Sequence, residues 1–314
     1  MVTNYLHEHP EFDDLIRIVA DKLSIAPILI EKDYWIMHCL YGLQAQGMQF
    51  YLKGGTSLSK GHGIINRFSE DIDVLIEPPE TMNVATGKNQ DKKSHCESRQ
   101  NYYDWLANNL QVSGIQDVTR DTAFDDEKFR SGGVRLHYPT QLQSSIDIKN
   151  GILLEVGFDT VAPNSPINIS SWAYDFASDK VAIKDNRALS VSCYHPGYTL
   201  VEKLQTISTK FRKQQEHGAF AENFMRHYYD VYHLLDYEPV VKFIGTNEYH
   251  QHKKARFRAS DNLDIRQNQA FQMEQAEVFN QYKQQYQISQ SLYYNDKPSF
   301  EDIVERIRSF SGKL

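Results

Sequence analysis

What the chain lacks narrows its function first. It has three cysteines, Cys39, Cys96 and Cys193, odd in number and scattered. That excludes a disulfide framework and a cysteine metal site, and makes free thiols in a reducing cytosol the expectation. No apolar run approaches the roughly 18–20 residues that a membrane span needs. The opening MVTNYLHEHPEFDD has neither a basic n-region nor an apolar h-region, so a secretory signal is not expected and a cytoplasmic location is. The Gly-x-x-x-x-Gly-Lys-Ser/Thr phosphate loop is absent, and so is a kinase-type glycine loop. Excess positive charge is missing as well. A formal net charge of −7 argues against indiscriminate binding of nucleic acid.

What is present suits a globular protein of two domains. The 314 residues are 40% hydrophobic and 12% aromatic, ample for two cores. Leu15, Ile18, Val19 and Leu23 recur at helical spacing, and a second helix starts near Ile28 and carries Tyr34, Trp35, Met37 and His38. QFYLKGG reads as a short strand ended by glycines, SLSKGHGII as a short helix, and DIDVLIE as a second strand closed by Pro78-Pro79. The polar stretch 80–98 reads as a mobile loop, followed by a helix around 100–110. GGVRLHY, SSIDIKN and ILLEVGF read as strands, with Asn150-Gly151 a hairpin signal between the last two. After Pro196 the pattern turns to amphipathic helices. The expected division is therefore 1–190, a mixed α/β (α+β) part with N-terminal helices, and 191–314, a helical part.

The chemistry concentrates between Lys53 and Val74. Alternation on a strand sends Asp71 and Asp73 to one side, Ile72, Val74 and Ile76 to the other. Two unpaired carboxylates roughly 6–7 Å apart repel unless a cation, a proton or water intervenes. Taken alone, the pair fits an ordinary solvated edge strand. The preceding turn changes the weighing: Gly54-Gly55 permits close backbone approach, and Thr56 and Ser57 offer hydroxyls and N–H groups to an anion. A phosphate cradle beside a pair of hard oxygen ligands describes a Mg²⁺-dependent nucleotide site.

KGGTSLSKGHGIINRFSEDIDV resembles the signature of the nucleotidyltransferase superfamily, and more narrowly of the AbiEii/AbiGii toxin family, to which the MenT-type toxins are related. EKDYW at Glu31–Trp35, LLEVGF at Leu153–Phe158, TLVEKL at Thr199–Leu204 and RHYYDVYHL at Arg226–Leu234 extend the resemblance in order. It implies a mixed-sheet nucleotidyltransferase core, a C-terminal helical domain and catalysis between them. It maps metal binding to Asp71 and Asp73, with Glu155 as third carboxylate and Asp147 as its rival. Gly54, Gly55, Thr56 and Ser57 map to phosphate contact, and Lys203 and Asp230 to the functional pair of the helical part. The implied activity is transfer of NMP from a nucleoside triphosphate to an acceptor hydroxyl, such as a tRNA 3′ end, with one or two Mg²⁺ ions. The implied biology is the toxin of a type IV toxin–antitoxin or abortive-infection system, with a cognate antitoxin as partner. Phosphoryl transfer to a protein such as the antitoxin, and a non-catalytic nucleotide-binding module, are the rival readings.

Two further stretches invite a reading. Glu31-Lys32-Asp33 fits a helix start or cap packed near the site. The tract from Tyr249 to Arg258, with His250, His252, Lys253, Lys254 and Arg256, reads either as a nucleic-acid surface or as a flexible charged connector. Tyr228, Tyr229 and Tyr232 read as interhelix packing residues.

Overall fold

The computed structural model describes residues 4–142, 148–290 and 293–314. The chain forms two compact units: Met1–His62 with Phe68–Tyr194, and Gly63–Arg67 with His195–Leu314.

Unit 1 is built on a seven-stranded mixed sheet: β1 (Phe50–Leu52), β2 (Asp71–Ile76), β3 (Asp117–Asp121), β4 (Ser131–His137), β5 (Ile152–Gly157), β6 (Asn164–Ile169) and β7 (Ala188–Tyr194). Their spatial order is β3-β4-β5-β2-β1-β7-β6. The central β2 runs antiparallel to β1 and parallel to β5. Helices α1 (Phe12–Leu23) and α2 (Pro27–Ala45) precede the sheet. Burial in α1 falls on Phe12, Ile16, Val19 and Ala20, so Ile18 and Leu23 of the helical pattern lie outside the core. The large Phe12 and Ile16 set the buried stripe instead. α2 is enclosed on all sides, with nearly every residue from Ile28 to Leu43 buried, as expected of a helix apolar all round. Its Glu31, Lys32 and Asp33 sit within the helix rather than at its start.

The stretch 80–98 is shorter as a loop than its polarity suggested, because α4 (Lys93–Asn109) begins at Lys93. The buried Arg99 anchors it, donating to the Ala85, Gln90 and Lys128 carbonyls. β4 pairs directly with β5, so the Asn150-Gly151 turn belongs to that longer connection. Residues 143–147, including most of SSIDIKN and Asp147, lie outside the described residues. Ile148–Asn150 are not strand.

Before β2, α3 (Gly54–Thr56) continues into a wider helical turn, Ser57–Gly61. After β6 comes α5 (Trp172–Ala177), whose first N–H donates to Asp33 Oδ2 at 2.9 Å.

Unit 2 is helical: α6 (Pro196–His217), α7 (Arg226–Leu234), α8 (Glu238–Phe243), α9 (Asn247–Arg256), α10 (Gln269–Gln272), α11 (Ala276–Ser289) and α12 (Phe300–Phe310). Leu200, Val201, Leu204 and Ile207 of α6, with Phe300, Ile303, Val304 and Ile307 of α12, supply its core at helical spacing. Ser299 and Asp302 close a capping box on α12, and Gly218 ends α6 at φ 77°. The segment Gly63–Arg67 is tied in by Tyr294 N–H to the Asn66 carbonyl at 3.0 Å. Among the described residues no helix is long and apolar enough to cross a membrane.

Candidate active site

In unit 1 the alternation of β2 does what the sequence required. Ile72, Val74 and Ile76 are buried, while Asp71, Asp73 and Leu75 are half-buried on the opposite face. Parallel pairing puts Asp73 beside Glu155 of β5, so the two side chains share that face. Burial first, and then the charges of Asp73 and Asp71, raise the Glu155 carboxyl to about 7. Burial also raises Asp71, with Asp73 and Glu70 adding repulsion that Lys149 partly offsets. The Lys149 ammonium stands 3.9 Å from Asp71 Oδ2. Asp71 Oδ1 is buried without a hydrogen-bond partner. Such an oxygen is costly in a folded protein unless something accepts its charge.

The Gly54 turn meets the same carboxylates. Gly54 has φ 68°, and a Cβ there would lie 1.8 Å from Asp73 Oδ2. Only glycine permits both the conformation and the approach. Lys53 N–H donates to the Asp73 carbonyl at 2.9 Å, and Thr56 Oγ1 donates to the Asp71 carbonyl at 2.7 Å. The Thr56 hydroxyl is thus spent on fixing the turn to β2. Ser57 Oγ is buried without a nitrogen or oxygen partner and lies beside the Cys193 thiol, a weak one.

Do these groups suit a divalent ion? Among the described residues no group of three or more His, Cys, Asp or Glu is arranged to hold a metal as it stands. The donor chemistry nevertheless fits a hard cation: three carboxylates on one sheet face, two of them, Asp71 and Glu155, raised by burial and neighbouring charge, and one with an unpartnered oxygen.

The Glu31-Lys32-Asp33 triplet braces this site. Lys32 Nζ donates to the Lys149 carbonyl at 2.6 Å and pairs with Glu70 at 3.7 Å. Glu70 in turn accepts from Lys149 N–H at 3.1 Å. Asp33 pairs with Lys60 at 2.8 Å, holding the helical turn after Ser57. Glu31 accepts from Thr140 Oγ1 at 2.7 Å.

In unit 2, Lys203 and Asp230 meet directly, Nζ to Oδ2 at 2.9 Å. Arg67 completes the cluster, its Nε and Nη2 donating to the two oxygens of Asp230 at 2.6 and 2.8 Å. Asp230 is fully buried. Burial alone would raise its carboxyl, but Arg67 and Lys203 outweigh it and hold the group well below the ordinary carboxylate range. It is a fixed anion, unsuited to accepting a proton. Its partners are Arg67, 163 positions away in the chain, and Lys203.

The sequence description "Nucleotidyl transferase AbiEii toxin, Type IV TA system" matches residues 37–306. The chain belongs to this family. In fold it is similar to MenT4, a nucleotidyltransferase toxin of Mycobacterium tuberculosis H37Rv, at 17% identity and a TM-score of 0.56, over 95% of this chain and 90% of that one. An antigenic nucleotidyltransferase-like protein from Paracoccidioides brasiliensis aligns at 12% identity and a TM-score of 0.38, over 73% of this chain and 95% of that one. No curated protein matches the sequence. AbiEii membership makes this a nucleotidyltransferase toxin of a type IV system, with an antitoxin partner implied.

Sequence reasoning about this AbiEii chain missed the partners of its site residues. Arg67 stands in the quoted RFSED run, and its place beside that acidic motif was the available signal that it belongs to the site, though not of its partner. Lys149 and Lys53 carried none, since their roles depend on contacts with residues distant in the chain. The tract from Tyr249 to Arg258 is mostly helical rather than a flexible connector, with Tyr249 and Lys253 buried and His250, Lys254 and Arg258 exposed. Its residues up to Arg256 lie in α9, with Tyr249 Oη donating to the Leu314 carbonyl at 2.8 Å and Lys253 Nζ reaching the same oxygen. Arg256 pairs with Glu202 at 3.6 Å. Tyr228 and Tyr229 are fully buried, with Tyr228 Oη donating to the Ala270 carbonyl at 2.8 Å, and Arg306 stacks on Tyr232.

Proposed function

We propose that the chain transfers a nucleoside monophosphate from a nucleoside triphosphate to an acceptor hydroxyl, with Asp71, Asp73 and Glu155 as holders of a divalent ion such as Mg²⁺. When bound, that ion supplies Lewis-acid stabilisation of charge on the phosphoryl oxygens. The observation that carries the reading is the register pair Asp73–Glu155, with the unpartnered Asp71 Oδ1, pressed against the Gly54 turn.

The remaining roles belong to the chain's own groups. Gly54 and Gly55 allow backbone N–H groups to approach phosphate oxygens closely, and the Ser57 hydroxyl is the side-chain donor left over for them. Thr56 acts through its backbone, since its hydroxyl anchors the turn. Lys203 neutralises charge on the leaving pyrophosphate, with Asp230 as its positioning residue. The excess of one positive charge in the Arg67–Asp230–Lys203 cluster supports that role. The acceptor of choice is the 3′-terminal hydroxyl of a tRNA, and the antitoxin is the protein partner.

Incubation of the purified protein with each α-labelled nucleoside triphosphate, Mg²⁺, total RNA and protein extract tests this. Label entering RNA supports nucleotidyl transfer, and gel mobility identifies the acceptor. Label that enters protein only when placed at the γ-phosphate would replace the reading with phosphoryl transfer. No transfer from either position would end it.

A further inference from the structure

A cavity of about 860 Å³ opens in unit 1 where the carboxylate row of β2 ends. Its wall starts at Leu75, the next residue after Asp73 on the same strand face and about 7 Å along it. Tyr51 of β1 stands opposite Leu75 in the antiparallel register and lines the same wall. Beyond them lie Glu77, Lys88, Phe158 and Asn164. The volume is that of a small-molecule pocket.

The lining specifies chemistry. Tyr51 Oη donates to Glu77 Oε1 at 2.9 Å, which fixes the carboxylate at the mouth of the cavity. An ionised carboxylate only accepts hydrogen bonds, so its partner must present N–H or O–H groups. Carboxylates read the exocyclic amino group of a base in this way. The Tyr51 and Phe158 rings offer faces of the kind on which planar bases stack. Glu77 and Glu80 against Lys88 make the lining poor for phosphate and good for a donor-bearing ring.

We propose that this cavity takes the base of the incoming nucleotide, and that Glu77, positioned by Tyr51, favours bases with an amino group (adenine, cytosine, guanine) over uracil. The inference rests on the nucleotidyltransferase reading: a nucleotide whose α-phosphate lies at Asp73 has its base one nucleoside away, and the cavity begins at that neighbouring position. Glu77 is exposed, so its replacement does not threaten the fold.

Binding of ATP, CTP, GTP, UTP and inorganic tripolyphosphate to the full chain, wild type against Glu77→Gln and Tyr51→Phe, tests it. Wild type is expected to bind at least one amino-bearing nucleotide about tenfold or more tighter than UTP, one good base contact's worth. In Glu77→Gln, whose amide both donates and accepts, the gap should close to about twofold. Tyr51→Phe should narrow it partly, and tripolyphosphate affinity should stay the same in all three. Equal wild-type affinities for the four nucleotides, or a gap that survives Glu77→Gln, would overturn the inference and leave the catalytic reading standing. Failure to bind any nucleotide or tripolyphosphate would remove both. If Glu77→Gln changed only the labelling of acceptors that differ in their terminal base, the cavity would hold the acceptor's base and the assignment to the donor would fall.

Discussion

Asp71 in unit 1 and Asp230 in unit 2 are the same side chain in opposite circumstances. Asp71 is half-buried among like charges, keeps one oxygen without a partner and has its carboxyl raised. Asp230 is buried completely, uses both oxygens on Arg67 and Lys203 and has its carboxyl lowered. One position is short of positive charge and the other already holds it. The comparison separates a carboxylate left short of counter-charge from one whose counter-charge is built in.

Breaking the satisfied member should cost the most. Asp230→Ala removes the buried carboxylate that Arg67 and Lys203 both bond, and a loss of about 3–5 kcal/mol in unfolding free energy is expected, read by urea denaturation. Acid should act in the same direction. Because the native carboxyl is depressed, its contribution is complete above about pH 4 and is lost as pH falls towards the native value. Asp71→Asn should do the reverse. Removing one of three repelling carboxylates should leave the melting temperature unchanged or raised, while nucleotidyl transfer falls by about 10²–10³, the scale of losing one electrostatic stabiliser. A variant that lost stability in step with activity would erase the contrast between the two aspartates.

Smaller changes sharpen the comparison. Gly54→Ala forces a left-handed conformation and a clash with Asp73, so about 1–2 kcal/mol of stability should go, together with most of the activity. Thr56→Val removes the hydrogen bond to the Asp71 carbonyl and should cost about 1 kcal/mol, measured by thermal melting.

The contrast also marks what a sequence can carry. The DID alternation was legible because period two is local, and so were the glycine turn and the long helices of unit 2. The neighbour of Asp73 was not legible from spacing. Strand register depends on residues far apart, and only the family resemblance pointed to Glu155. Arg67 and Asp230 are separated in the chain by 163 positions, beyond any periodic pattern. β3 and β6 went unread because they are the two edges of the sheet, polar and little buried, with Pro166 in the second. β7 lies inside the sheet, yet its irregular burial and the positive φ of Ser190 hide the alternation. In α9, the charges gave no sign that tertiary contacts would draw Tyr249 and Lys253 inward while Lys254 stays exposed.

The most direct test is a Mn²⁺ titration followed by electron paramagnetic resonance, with a non-hydrolysable nucleoside triphosphate present, in wild type and in Asp73→Asn. The account predicts at least one Mn²⁺ bound per wild-type chain and its loss in the variant, with the fold intact by circular dichroism. Equal binding by the two proteins, or no binding by the wild type, would contradict it.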